Sequence, residues 1–218
     1  MKSINWSDHI LNFIAVILGV SLAFYINKSS EQKKEEREVK QIVISLMEEL
    51  SDDRENYIEY QIPFQKNQSD IITDVINQLI TGRLDSLNEK VELAINVNNY
   101  QPNDLTFKSI TTSGKLDLIR DFKMRKQISN YYDALAVECA HRNEAQADFF
   151  MDKLIPWIVS NTSLIDNNSK ALVNNREFIN LLILYKGFVD NKLRHYEVLA
   201  KESQSLQFKL KEVIINGQ

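Results

Sequence analysis

Glycine and proline are scarce in this chain: 218 residues hold five of the first and three of the second, and neither occurs between Gly19 and Pro63. Turn-rich β architecture needs both, so long uninterrupted helices and an all-α class are expected. Cysteine is reduced to Cys139, which closes no disulfide within the chain and leaves the redox compartment open. Positive charge is not in excess either, since 26 Lys and Arg stand against 30 Asp and Glu, interspersed, for a net charge of -4. No basic face is evident for a phosphate backbone, and no nucleic-acid partner is expected.

Catalytic signatures are also missing. The sequence has no HExxH, no nucleophile elbow and no His/Cys pairing. Thr111-Thr112-Ser113-Gly114-Lys115 has the outline of a phosphate loop, but Ser109 stands at the first glycine and Leu116 at the metal-binding hydroxyl. His141 and Glu144, with Glu138 and Asp148, have metal-like spacing, yet such sites need a matching motif from a second helix, and His195 does not complete one. The acidic run Glu48, Glu49, Asp52, Asp53, Glu55 lacks the glycine of a calcium loop and reads as a solvated helix face. No enzyme activity, metal, cofactor or small-molecule ligand is therefore expected.

What the chain does contain is a long apolar run. Ile10 to Ile26 carries no charge, and its polar side chains are Asn12 and Ser21. Trp6 and Tyr25 are nineteen positions apart, ~28 Å along a helix, which matches a hydrocarbon core of roughly 30 Å with an aromatic at each interface. Residues 10–26 are thus expected to be a transmembrane helix after a short tail, 1–9, with the lipid bilayer as partner and Gly19 available for helix association. Ser21-Leu22-Ala23 offers a signal-peptide cleavage pattern, but Phe24, Tyr25 and Ile26 continue the run beyond it, which favours an uncleaved anchor.

The remainder reads as an elongated antiparallel helical bundle. Residues 27–60 are expected to continue the span as a charged neck and rod, with Val39, Ile42, Val43, Leu46 and Leu50 forming one apolar face that packs on its own domain or pairs in a coiled coil. Pro63 is expected to interrupt the rod, and residues 61–218 to form the bundle domain. In that domain Ile71, Ile72, Val75, Ile76, Leu79 and Ile80 predict a helix closed by Gly82. A short helix from Leu84 to about Ile95 follows, then an Asn/Pro/Asp loop over 98–104 whose Asp104 caps a helix from Leu105 to Ser113. Asp121 is expected to cap a helix from Phe122 to about Ser160, its end kinked or broken by Pro156. A polar loop over 161–174 leads to a last helix from about Arg176 to Ile215. Its core stripe includes Phe178, Leu182, Leu184, Tyr185, Tyr196, Leu199, Leu206 and Leu210.

Two stretches resemble a known family. In the span and neck, Gly19, Ala23, Ile26, Asn27, Glu31 and Lys33 or Lys34 fit the opening apolar-Gly-apolar-Ala-x-x-Ile-Asn-x-x-x-Glu-x-(Lys/Arg). Farther on, Pro102, Phe107, Ser109, Ile110, Ser113, Gly114, Lys115, Leu116, Leu118, Ile119, Asn130, Tyr131 and Tyr132 fit Pro-x-x-x-x-(Tyr/Phe)-x-Ser-apolar-x-x-Ser-Gly-Lys-Leu-x-Leu-Ile followed by Asn-Tyr-Tyr. The match is to a family of bacterial single-span membrane proteins, common in Bacteroidota, classed as a domain of unknown function. It covers about a quarter of the chain. The family's Gly-Glu pair at the start of the span is replaced by Leu11-Asn12, and Ser29 stands at a common Trp.

The resemblance implies a bacterial inner-membrane protein with its soluble domain in the periplasm. The Lys and Arg residues after the span, counted alone, favour the cytoplasm instead. From the residues themselves, Ser109 and Ser113 at four-residue spacing, Gly114 closing the helix and Leu116, Leu118 and Ile119 docking it form a structural corner; with Pro102, Phe107, Lys115, Tyr131 and Tyr132, which the resemblance adds, it is a candidate interaction corner. The function expected is that of a membrane-anchored interaction, scaffold or sensor module of an envelope complex, with a protein partner or homo-oligomer. The alternative is an oligomerising membrane effector, of the defence or toxin kind, acting through the span.

Overall fold

A computed structural model describes residues 6–83, 86–162 and 169–216, with side chains described over 13–83, 86–162 and 171–214. Among these residues the fold is all helix, without a strand. Helix α1, Trp6–Asn56, passes through a wide π turn, Tyr57–Gln61, into α2, Ile62–Thr81, as one unbroken helix over Phe13–Thr81, ~100 Å long at 1.5 Å per residue. Helix α3, Leu87–Ala94, descends beside α2. A non-helical strap over 95–104 and α4, Leu105–Thr112, continue the descent along α1. A second continuous helix then rises as α5, Phe122–Ser129, α6, Val137–Phe149, and α7, Ile155–Asn161, with π segments at Asn130–Ala136 and Phe150–Leu154. Finally α8, Arg176–Asn216, returns along α1 and α2. The architecture is the expected elongated antiparallel bundle, an up-down-up-down arrangement whose second member is broken into α3, strap and α4.

Pro63 does not interrupt the rod, contrary to expectation. Proline in a helix clashes with the carbonyl four residues back and removes an N–H. Here the Ile62 N–H donates five residues back, to Tyr57 O, in the wide turn just before Pro63. The Ile155 N–H does the same to Phe150 O just before Pro156. Each Ile-Pro pair therefore follows a π turn that redirects the carbonyls, and the helix continues.

Those turns leave a trace in the burial pattern. On α8 a line of buried positions, Phe178, Leu182, Tyr185, Val189, Lys192, Tyr196, Leu199, Ser203, Leu206 and Leu210, alternates steps of four and three as in a heptad seam, with Ile179, His195 and Ala200 buried beside it. Along α1 and α2 the corresponding line is Val43, Leu46, Leu50, Asp53, Tyr57, Gln61, Gln65, Gln68, Ile72, Val75 and Leu79, with Ile42, Ser69 and Gln78 buried beside it. Three fours in succession, from Asp53 to Gln65, where alternation would put a three in the middle, take up the residue that the π turn inserts. The face expected from Val39 to Leu50 thus packs inside its own bundle, with Val39 at its edge.

The core has two parts. A lower one gathers Val43, Leu46, Leu50, Tyr57, Phe107, Ile128, Leu199 and Leu210, and an upper one gathers Ile72, Val75, Leu79, Leu154, Phe178, Leu182 and Val189. Leu184 and Ile80, expected inside, are 57 % and 54 % exposed. Gly82 closes α2 in the left-handed region, φ +73°. Leu84, the expected start of α3, lies outside the described residues, as do 163–168 of the expected 161–174 loop. What is described of that loop includes a 3-10 turn, Ser169–Leu172, whose Leu172 is buried.

The apolar side chains Phe13 to Ile26 touch no part of the bundle, and Phe24 is 71 % exposed. Leaving each such side chain in water forgoes ~1.5–3 kcal/mol. This is the one described helix long and apolar enough to cross a membrane. Tyr25 is exposed at its end; the side chains of Trp6 and Ile10 lie outside those described.

Candidate functional site

The strap is where the sequence and the structure differ most. Half-buried backbone needs partners for its polar groups, and three helices provide them. Ala94 O accepts from Gln68 Nε2 at 3.0 Å, and Asn96 O accepts from Gln68 and from Tyr185 Oη, the latter at 2.7 Å. Asn98 O accepts from Lys192 Nζ at 2.7 Å and Gln65 Nε2 at 3.4 Å. Tyr100 O accepts from Asn143 Nδ2 at 2.8 Å, while its N–H donates to Tyr196 Oη at 3.1 Å. Lys192 also donates to Asn99 Oδ1 at 2.7 Å and Gln146 Oε1 at 2.6 Å. These side chains form a polar layer between the two apolar cores.

At its lower end the strap meets Asp53, which is fully buried. Asp53 accepts from Tyr100 Oη at 2.8 Å, from the Asn103 N–H at 3.0 Å and, more weakly, from Tyr131 Oη at 3.5 Å. Tyr57 sits edge-on to Tyr100 and stacks on Tyr196, with ring centroids 5.4 and 5.5 Å away. Burial dominates the electrostatics of this cage. It pushes the Asp53 carboxyl up to about 6, against the lowering effect of its Asn103 and Tyr100 hydrogen bonds. It also draws the Lys192 ammonium down to about 8. The Tyr57, Tyr100, Tyr131, Tyr132 and Tyr196 phenols are all raised. Burial lifts the Cys139 thiol to about 12, a poor nucleophile at neutral pH. Asp53 and Lys192 each make two hydrogen bonds to the strap and one to a neighbouring helix, Asp53 with Tyr131 and Lys192 with Gln146.

Two expectations about the acidic run and the loop are corrected here. Asp53 is not on a solvated face, because it continues the Leu46–Leu50 spacing into the interior. Glu49, half-buried, accepts from both the Thr106 N–H at 3.0 Å and Thr106 Oγ1 at 2.7 Å. Asp104 does not cap α4: its carboxylate pairs with Lys108 at 2.8 Å, and Asn103 Oδ1 takes the Leu105 N–H at 3.2 Å. Asp121 caps α5 as expected, accepting from the Lys123 N–H at 2.8 Å.

The corner divides into a buried and an exposed half. Pro102 is buried, and Phe107 stacks on Tyr132 with centroids 4.8 Å apart. Tyr132 meets Tyr131 edge-on at 5.0 Å. Ser109, Ser113, Gly114 and Lys115 are exposed. Ser113 Oγ donates back to Ser109 O at 2.7 Å, and Gly114 turns the chain at φ +71°. Lys115 then pairs with Glu38 and Arg120 with Glu35, so the corner is fastened to the neck of α1. A groove of about 390 Å³ runs between α1 and α4, lined by Ile42, Ser45, Leu105, Ser109, Ile110 and Lys115. Leu105 is 70 % exposed beside it.

A Cβ added at Gly114 meets no atom within 4 Å, so Gly114→Ala pays only the left-handed backbone, ~1 kcal/mol. A thermal shift of about 2–4 °C is expected, and melting the variant in detergent checks it.

His141 lies exposed beside Glu144 at 3.8 Å, whereas His195 is buried with Nε2 2.8 Å from Leu135 O. Among the described residues no group of three or more His, Cys, Asp and Glu is placed to hold a metal. Comparison of the chain with protein-family models, curated proteins and solved structures gives no match.

Proposed function

We propose that this protein is a membrane-anchored interaction module of a bacterial envelope complex, scaffold or sensor, which binds a protein partner and performs no chemistry of its own. One observation carries the reading: the exposed apolar segment and the bundle share an unbroken helix, Phe13–Thr81. A rod without a hinge passes motion or association of the span to the bundle. The polar residues that could be reactive are buried and occupied with the strap, which supports a binding role over catalysis. The groove beside Leu105 and Ser109 is the proposed contact.

Co-purification from mild detergent tests this. The full chain is expected to bring down a stoichiometric partner or a second copy, and Leu105→Arg with Ser109→Arg is expected to lose it without a change in melting. A monomer that captures nothing counts against the module. We place the bundle in the periplasm, on the resemblance of the span and the Ser109–Lys115 corner. A C-terminal alkaline phosphatase fusion is therefore expected to be active, and an inactive one to put the bundle in the cytoplasm.

A further inference from the structure

Charges that alternate along the sequence are sorted by the fold. Residues 28–40 and 115–126 hold ten Lys and Arg against six Asp and Glu. The rest of the bundle, residues 41–114 and 127–218, holds fifteen against twenty-three. The ion pairs Lys115–Glu38 and Arg120–Glu35 bring the two basic segments together on the neck of α1. The result is a collar of net charge +4 at the end of the bundle nearest the apolar segment, below a body of -8.

The same turn exposes an apolar ring. Phe122 is 68 % exposed, with the Arg125 guanidinium 5.7 Å from its centroid. Exposed Lys34, Lys123 and Lys126 make no ion pair with another described residue. Helix geometry sets their height. Glu35, at the level of Arg120, is nine residues beyond Ile26, ~13 Å along the helix axis. Headgroups occupy roughly the first 5–7 Å of that distance, and the remainder lies within the ~8 Å Debye length at physiological salt.

We propose that this collar binds the anionic lipid surface, seating the Arg120–Lys123 turn on the headgroups and fixing the tilt of the bundle. The inference rests on the membrane-anchored reading of Phe13–Ile26. Each Lys or Arg close to an anionic leaflet contributes ~1 kcal/mol, enough to orient a domain already held by its span.

The test places an NBD label at position 122 through Phe122→Cys, Cys139 being buried and unreactive. The full chain is reconstituted in vesicles of phosphatidylcholine alone or mixed with phosphatidylglycerol. Emission, and its quenching by headgroup spin-labelled lipid, should rise roughly two-fold in the anionic vesicles, in line with the charge of the collar. High salt should abolish the rise, as should Lys34→Glu, Lys123→Glu and Lys126→Glu together, with helicity unchanged. Equal emission in both vesicles, from protein that floats with them, overturns the collar and leaves the anchor standing. Protein that floats with neither overturns the anchor, and the collar with it.

Discussion

Replacing Lys192 by methionine is expected to lower the stability of the bundle by about 2–4 kcal/mol, a fall in melting temperature of roughly 6–12 °C. The ammonium holds three oxygens, those of Asn98, Asn99 and Gln146. Asn99 is exposed and its side chain can turn to water. Gln146 Oε1 loses its donor and Asn98 O keeps only the long bond from Gln65 at 3.4 Å, at ~1–3 kcal/mol each. Removing a charge that burial disfavours offsets part of the loss. Methionine fills much of the same volume, so cavity formation contributes little. Thermal unfolding of the full chain in detergent at neutral pH reads the effect. An unchanged midpoint would mean that the strap does not depend on its lysine.

Asp53→Asn is expected to act through pH. Burial raises the folded carboxyl from 3.8 to about 6. The folded state therefore holds its proton where the unfolded state has lost it, and the stabilisation is full below pH 3.8. It is lost as pH rises through about 6. At 1.36 kcal/mol per pH unit this amounts to about 3 kcal/mol between acid and neutral conditions. Asparagine resembles the protonated form: its Oδ1 can still accept from Tyr100 and Asn103. The variant should melt no lower than wild type at pH 7, and its stability should lose the slope between pH 4 and 6 that wild type shows. A slope that persists in the variant would assign it to another group.

Lys192 titrates in the opposite sense. Its folded ammonium is depressed from 10.5 to about 8, so its contribution is present above pH 10.5 and lost as pH falls through 8. The two groups act in separate windows, which lets one pH series tell them apart.

Much of the fold was legible because apolar spacing reports a helix face directly. The stripe on α8 and the caps at Asp121 and Gly82 needed only the sequence. The polar layer was not legible, since Asp53, Gln65, Gln68 and Lys192 look solvent-facing by residue type. Their positions were nonetheless informative, because each continues a three-four spacing set by the apolar residues around it. A polar residue in step with a core stripe, next to an asparagine-rich break, signals buried backbone that needs partners. Pro63 and Pro156 misled for a related reason, since nothing local in an Ile-Pro pair announces the π turn before it. The corner was legible as a turn through Gly114, whereas its attachment to Glu35 and Glu38 required the fold to bring distant charges together.

That attachment and the continuous helix matter for function only if the segment up to Ile26 is held in a bilayer. Alkaline carbonate extraction of bacterial membranes containing the full chain decides this. The protein is expected to stay with the pelleted membranes, while a chain starting at Lys33 is released as a folded helical domain. Full-length protein released by carbonate would contradict the membrane anchor.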